Sequence, residues 1–133
     1  ATELAPNEVQ WQSSLGALYR RAKQFDKALP HLEKAVQLDP NNFEAWYDYG
    51  DTLFVMGYFK EGLKALNRSV ELNPKFADAQ YSRAKVLFVL ERITEAVEAL
   101  KTTFTLNPEF RKKFETEFKG VSSMKEFSAL LEQ

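Results

Sequence analysis

The chain has 133 residues, 44% of them hydrophobic, which is enough to bury a core. Its 18 Lys and Arg residues nearly balance its 19 Asp and Glu residues, so the charge gives no reason to expect a nucleic acid or an anionic membrane as partner. The absence of cysteine excludes disulfides and thiol catalysis, and no apolar run approaches the ~20 residues of a membrane span. The compartment stays open, with the cytoplasm as our expectation.

Eight helices are predicted, and prolines at a constant spacing of 34 residues divide them into pairs. These prolines are Pro6, Pro40, Pro74 and Pro108. A proline cannot continue a helix and biases the residue before it to an extended form, so each proline is predicted to end the second helix of a pair. The predicted helices cover residues 8–22, 25–38, 42–56, 59–72, 76–90, 93–106, 109–118 and 122–132.

Residues 1–8 are predicted to be the tail of a preceding helical unit. Leu4 and Pro6 stand in register with Leu38 and Pro40, and the chain does not begin with Met. We therefore expect the chain to be part of a longer protein.

Trp11 has two interpretations. The equivalent residues of the later units are Ala45 and Ala79, which are much smaller. The indole either packs on a helix upstream of this chain or folds back over the first helix pair, and the sequence favours neither.

Three units begin at Val9, Phe43 and Ala77, and residues of similar size recur at the same places within each. Small residues at places eight, twenty and twenty-seven let two antiparallel helices approach closely. Large residues at places four, seven, eleven and twenty-four fill the space beside them. The small residues include Gly16, Gly50, Ala84, Ala28, Gly62, Ala96, Ala35, Ser69 and Thr103, and the large ones include Trp46, Tyr49, Leu53, Leu32, Leu66 and Leu100.

This pattern resembles the tetratricopeptide repeat in its period, its helix-turn-helix units and its closing proline. The unit that begins Phe43-Glu44-Ala45-Trp46 matches the repeat best, and the sequence departs from the repeat at Trp11, Gln80 and Arg83. The resemblance implies an all-α fold, a right-handed α-solenoid of stacked antiparallel helix pairs, and no enzymatic activity. The predicted single domain, 1–133, contains the preceding tail 1–8, repeats 9–42, 43–76 and 77–110, and C-terminal capping helices over 111–133.

After Pro108 the repeat register is predicted to be lost. Phe110, Phe114 and Phe118 form an apolar stripe on one helix face, and Gly120 is a suitable end for that helix. A last helix is predicted from the capping box of Ser123 with Glu126 and from the apolar residues Met124, Phe127, Leu130 and Leu131. We expect these helices to cap the array, and docking of another protein is the less favoured alternative.

No catalytic, metal or cofactor site is predicted. His31 is the only histidine, so neither a zinc site built on His and Cys nor a catalytic triad has the residues it needs, and a surface or half-buried structural role is favoured. The run Arg111-Lys112-Lys113 is predicted to be a solvated helix face.

The candidate binding surface is a stripe on the first helix of each unit, roughly opposite the side that carries places four, seven, eight and eleven. In tetratricopeptide arrays, places two, five, nine, twelve and thirteen line a concave groove that holds peptides or helices of partner proteins, so the resemblance implies a groove here. The candidate site residues are Tyr47, Tyr81, Phe54, Phe88, Asp51, Lys85, Arg20 and Arg21, and the stripe also holds Ser13, Ala17, Val55, Asp78 and Val89.

Aromatic residues dominate this stripe. They give large contact area at little entropic cost, which suits a binding groove. We expect Tyr47 and Tyr81 to be exposed there, and their burial behind the C-terminal helices would count against the groove. For Phe54 and Phe88, packing on neighbouring first helices is an equal alternative.

The family's clamp for acidic C-terminal tails of chaperones is not expected. That clamp has Lys and Asn at places five and nine of its first unit and Lys with Arg in its third. Here Ser13, Ala17, Asp78 and Ser82 occupy those places.

The leading functional hypothesis is a protein-interaction module that binds a peptide or helix of a partner protein. The alternative is a structural spacer or a weakly self-associating scaffold segment of a larger assembly protein. Helical-repeat recognition of RNA is disfavoured by the neutral charge and the strict spacing.

Overall fold

The computed structural model describes residues 6–117, in which seven α-helices and no strands occur. The helices are α1 Pro6–Arg21, α2 Phe25–Leu38, α3 Phe43–Val55, α4 Phe59–Leu72, α5 Ala77–Val89, α6 Ile93–Leu106 and α7 Glu109–Glu117. The predicted all-α class and seven of the predicted helices are confirmed. The predicted helix over 122–132, its capping box, Gly120, Phe118 and the residues 1–5 lie outside the described residues.

The chain divides into two compact units, Ala1–Asn73 and Pro74–Gln133. In the first unit α1 pairs with α2 and α3 pairs with α4, while α3 also packs on α2 and α1. In the second unit α5 pairs with α6, and α7 packs on α6. The assignment of residues 1–133 to one domain stays a prediction.

The second helix of each pair ends two residues before its proline, as predicted. The residues that precede the prolines, Asp39, Asn73 and Asn107, have φ angles of −138°, −144° and −151°. These are extended conformations, which the clash with a following proline ring favours. The repeated proline therefore sets the helix end by local sterics.

The turn inside each pair has the same backbone conformation in all three repeats. Lys23, Gly57 and Glu91 have φ angles of 60°, 91° and 63°, in the left-handed region. The N–H of Gly57 bonds to the carbonyl of Phe54 and the N–H of Tyr58 to that of Leu53, which is a Schellman motif. The same bonds recur after Arg20 and after Phe88.

Small residues let the paired helices approach closely, as expected. A Cβ atom added at Gly50 would lie 2.8 Å from Cγ of Leu66 and 3.0 Å from its backbone N, closer than side chains pack. Around these contacts the core is formed by residues that are nearly or fully buried: Ala28, Leu32, Ala35, Leu53, Leu66, Ala84, Leu87, Ala96 and Leu100.

Place four is filled differently in each repeat, and its contacts explain the departure from the family pattern at Gln80. The indole N–H of Trp46 donates to the carbonyl of Pro40 at 2.8 Å. The amide Nε2 of Gln80 donates to the equivalent carbonyl of Pro74 at 3.2 Å. In the first repeat, Oε1 of Gln12 lies 2.8 Å from Nδ1 of His31. His31 therefore has a structural partner, in agreement with the role predicted for it.

Candidate partner-binding site

A charged and aromatic cluster lies on the first-helix stripe of the first unit. Arg20, in the last turn of α1, reaches α3, where its Nη2 hydrogen-bonds to Asp51 and its Nη1 lies 3.5 Å from Oδ1 of Asp48. The guanidinium carbon of Arg20 is 5.4 Å from the centroid of the Tyr47 ring, in the range of a cation–π contact. We call these four residues the Arg20–Tyr47 cluster. The structure thus brings together three of the predicted site residues.

The electrostatics of the cluster are set mainly by burial. Burial raises the pKa of the Asp48 carboxyl to about 6, an effect that nearby Arg20 opposes and that Asp51 and Glu44 reinforce. Burial lowers the pKa of Arg20, but the charge and hydrogen bond of Asp51 outweigh it, so the net shift is upward. The Nε atom of Arg20 and the Oγ atom of Ser13 are buried without a hydrogen-bond partner.

Apolar residues continue the stripe toward the C-terminal end of α3. Phe54 is half-buried, and its ring centroid lies 5.7 Å from that of Phe59 on α4. Phe54 therefore packs in part within its own helix pair, and its role in a groove stays a prediction. Val55 is half exposed, and Arg21, at the end of α1, is also exposed.

The expected exposure of Tyr81 is wrong. Only 2% of Tyr81 is exposed, because α7 covers it. The ring of Phe110 lies 5.1 Å from the Tyr81 ring, and the Tyr81 hydroxyl donates to Oε2 of Glu117 at 3.0 Å. Burial, reinforced by the Glu117 carboxylate, raises the pKa of the Tyr81 hydroxyl. The burial that we named as an argument against the groove therefore occurs at one of the two tyrosines.

Two lysines complete the surroundings of Tyr81. The Nζ atom of Lys85 lies 4.9 Å from the Tyr81 ring centroid and 3.7 Å from Oε2 of Glu117. From α7, Nζ of Lys113 lies 5.6 Å from the centroids of both Tyr81 and Phe110. Lys85 is thus engaged with α7. Further along α5, Phe88 is half-buried and Val89 is 43% exposed.

Phe114 in α7 keeps the spacing of place four, and the loss of the repeat register after Pro108 stays a prediction. Phe114 follows Gln80 by 34 residues, so it occupies place four of a further unit. It is buried, with its ring centroid 5.9 Å from that of Phe104.

Sequence reasoning missed Asp48 and Glu117 as members of these clusters. Asp48 stands at place six, outside the predicted stripe, and becomes important only because Arg20 arrives from another helix. Glu117 lies beyond the three repeats to which the resemblance extends. The spacing of Asp48 and Asp51, three residues apart on one helix, was the available signal for the first of these.

Residues 6–117 contain no group of three or more His, Cys, Asp or Glu side chains placed to hold a metal ion. Within the same range, none of the helices combines the length and the apolar character needed to cross a membrane.

Helix-turn-helix pairs with a shared turn geometry and a 34-residue period define the class of protein, a helical-repeat array. The family model of the tetratricopeptide repeat matches residues 19–86, which is about half of the chain. The chain therefore belongs to the tetratricopeptide repeat family. Among curated protein sequences, none matches it at a significant level.

Solved structures of similar fold agree with this assignment. A crystal structure of MamA is 27% identical with a TM-score of 0.80, and the match covers 96% of this chain and 76% of that one. YrrB, described as a tetratricopeptide protein with an unusual peptide-binding site, is 27% identical with a TM-score of 0.74, over 82% of this chain and 56% of YrrB.

A third similar structure is the first tetratricopeptide domain of Spaghetti (RPAP3), bound to the HSP90 peptide SRMEEVD. It has a TM-score of 0.77 over 98% of this chain and 95% of that one. At 18% identity, this likeness concerns the fold alone.

Proposed function

We propose that this chain is a protein-interaction module and that a peptide or helix of a partner protein binds the first-helix stripe of its first unit. The observation that carries the proposal is the Arg20–Tyr47 cluster, where a half-buried aromatic ring, a guanidinium and two carboxylates meet on one surface. Interfaces draw most of their binding energy from aromatic and arginine side chains that are held in place before the partner arrives.

The surroundings of the cluster support a mixed polar and apolar ligand. Val55, at the C-terminal end of the same helix, leaves apolar surface exposed for a ligand side chain. Glu44, Asp48 and Asp51 outnumber Arg20 and Arg21, so the surface favours a ligand segment that carries a positive charge. The predicted site residues on α5 belong to the second unit and are not part of this proposal, and Tyr81 among them is covered by α7.

The similar structures add support at the level of the family. YrrB has a peptide-binding site, and the Spaghetti domain holds a bound peptide, so peptide binding occurs among tetratricopeptide proteins of this fold. An acidic tail of the kind bound by the Spaghetti domain is not the ligand we propose, because the places of the basic clamp hold Ser13, Ala17, Asp78 and Ser82 here.

Two variants test this site. Tyr47→Ala removes the ring on which Arg20 lies, whereas Tyr58→Ala removes a half-exposed tyrosine from the turn between α3 and α4 and serves as a matched control. Proteins retained from a cell lysate by the wild-type chain are identified, and the retained segment is synthesised as a peptide and titrated calorimetrically. We expect Tyr47→Ala to weaken binding roughly tenfold or more and Tyr58→Ala to leave it unchanged. Equal affinities for both variants would place binding elsewhere.

A further inference from the structure

The outward face of α1 exposes two large apolar side chains. Trp11 and Leu18 are each 60% exposed, and Ser14 between them is exposed as well. Their spacing of three and four residues puts them on one side of the helix. We call Trp11, Ser14 and Leu18 the α1 face. It includes neither Arg20 nor Tyr47, so binding at this face does not depend on the proposed peptide site.

In the later repeats the equivalent face is buried except at Asp48, place six of α3, which is half-buried. The α1 face occupies places three, six and ten. In α3 places three and ten hold Ala45 and Thr52, both buried, and Ala45 packs with Ala35 and Val36 of α2. In α5 the three places hold the buried residues Ala79, Ser82 and Val86. This side of a first helix is therefore built to receive another helix, and only in α1 is it open among the described first helices of the three repeats.

The size of the exposed residues argues against an occupant like α2. Trp11 and Leu18 are much larger than Ala45 and Thr52, so a helix cannot approach α1 as closely as α2 approaches α3. The occupant must instead offer large side chains of its own that fit between Trp11 and Leu18 across the small Ser14.

A second α1 face meets this requirement, because its own large side chains are spaced to fit between those of the first. The midpoint of the stripe lies beside Ser14, and Trp11 and Leu18 stand at equal distances of about 5 Å from it on either side. Glu8 and Arg21 stand at equal distances of about 10 Å, and they carry opposite charges. An antiparallel copy of the same helix would therefore place Leu18 against Trp11 and Arg21 against Glu8, twice in each pair.

We propose that the α1 face binds the α1 face of a second copy of this chain in an antiparallel, two-fold symmetric pair. Such an interface is isologous, with each contact occurring twice. A depression of about 500 Å³ lined by Glu8, Gln10, Trp11 and Ser14 receives the Leu18 and Arg21 side chains of the second copy. The Glu8 carboxylate already accepts a hydrogen bond from Gln12, which holds it beside this depression.

The pair is expected to be weak. A stable interface buries about 800 Å² on each partner, and one face of a helix of about 24 Å length offers less than that. We therefore expect a dissociation constant on the order of 0.1 mM, with a further weakening as salt screens the two ion pairs.

Sedimentation equilibrium of the full chain from about 10 µM to about 1 mM tests the proposal. We expect the mass to rise from that of one copy toward that of two. Leu18→Asp should weaken dimerisation roughly tenfold or more, because it places a charge against the Trp11 ring of the other copy. Tyr58→Asp, which alters a similarly exposed large residue outside the α1 face, is the matched control and should leave the mass unchanged.

Charge exchange tests the antiparallel geometry. Glu8→Arg and Arg21→Glu should each weaken the dimer, because like charges then meet twice, and the double variant should restore it. Circular dichroism of each variant checks that α1 is intact. The proposal would be overturned by a chain that stays monomeric at about 1 mM, by a dimer insensitive to Leu18→Asp, or by a double variant that fails to restore the mass.

Discussion

Tyr47 and Tyr81 occupy the same place of two successive repeats, 34 residues apart, and have opposite environments. Tyr47 is half-buried, less exposed than we expected, and holds Arg20 over its ring, whereas Tyr81 is fully buried beneath α7 with its hydroxyl bonded to Glu117. A repeated sequence position therefore fixes the direction in which a side chain points. What covers that side chain depends on its neighbouring helices, and for Tyr81 the covering helix is α7.

The largest expected effect is on the stability of the fold, which alanine should reduce more at Tyr81 than at Tyr47. Tyr81→Ala leaves a cavity between α5 and α7 and should reduce the free energy of unfolding by about 3–5 kcal/mol. Tyr47→Ala removes a half-buried ring and a cation–π contact, so we expect a smaller reduction of about 1 kcal/mol. Urea denaturation followed by circular dichroism measures both.

Tyr81→Phe is the control for this pair, because it keeps the ring and removes only the hydrogen bond to Glu117. It should reduce the free energy of unfolding by about 1 kcal/mol. Equal losses in the two alanine variants would mean that α7 does not cover Tyr81 in solution, and the contrast between the two positions would then disappear.

A second effect concerns the pH dependence of stability near neutral pH and arises at Asp48, beside Tyr47. The pKa of Asp48 is about 6 in the folded chain and 3.8 in a model compound, so folding favours its protonated form. The stabilisation from this group is therefore complete below about pH 4 and is lost as the pH rises through about 6. Asp48→Asn should thus increase the free energy of unfolding by about 1–3 kcal/mol at pH 7.5 and have little effect at pH 4.

Arg20 gives the companion test. Since its charge lowers the pKa of Asp48, Arg20→Met should move the titration of that carboxyl upward from about 6. Side-chain NMR of Asp48 across the pH range reports the midpoint directly. A midpoint near 4 in the wild-type chain would show that Asp48 is solvated, and the Arg20–Tyr47 cluster would then be looser than described.

Much of the fold was predictable because its determinants are local. The prolines and the small residues act within one helix pair, so the helix bounds and the turns follow from short stretches of sequence. The presence of Gln80 in place of an aromatic residue could not be explained from the sequence. The structure explains it, because the Gln80 amide replaces the Trp46 indole N–H as the donor to a proline carbonyl.

The candidate site was less predictable because its residues meet across helices. A helical projection of α3 places Tyr47 and Asp51 on one stripe, but it does not show that Arg20 reaches Asp48. The exposure predicted for Tyr81 assumed that equivalent residues have equivalent neighbours. That assumption failed where α7 supplied a ring and a carboxylate that no helix projection of α5 contains.

The smallest expected effect concerns the turns inside the helix pairs and should be the same in both units. It tests whether the two units have the same backbone although the side chains around Tyr47 and Tyr81 differ. Lys23 and Glu91 adopt left-handed φ angles at the place where the middle repeat has Gly57. Because glycine adopts this conformation without steric penalty, Lys23→Gly and Glu91→Gly should each increase the free energy of unfolding by about 0.5–1 kcal/mol.

Gly57→Ala should have the opposite sign and a similar size, since an added Cβ atom meets nothing within 4 Å and only the backbone is strained. Thermal denaturation of the three variants measures these changes. Equal gains at Lys23 and Glu91 would mean that the turn is governed by its place in the repeat in both units. The difference between Tyr47 and Tyr81 would then arise from the helices that cover them, since the backbone that carries them would be equivalent. Unequal gains would instead indicate that the two units already differ in their backbone.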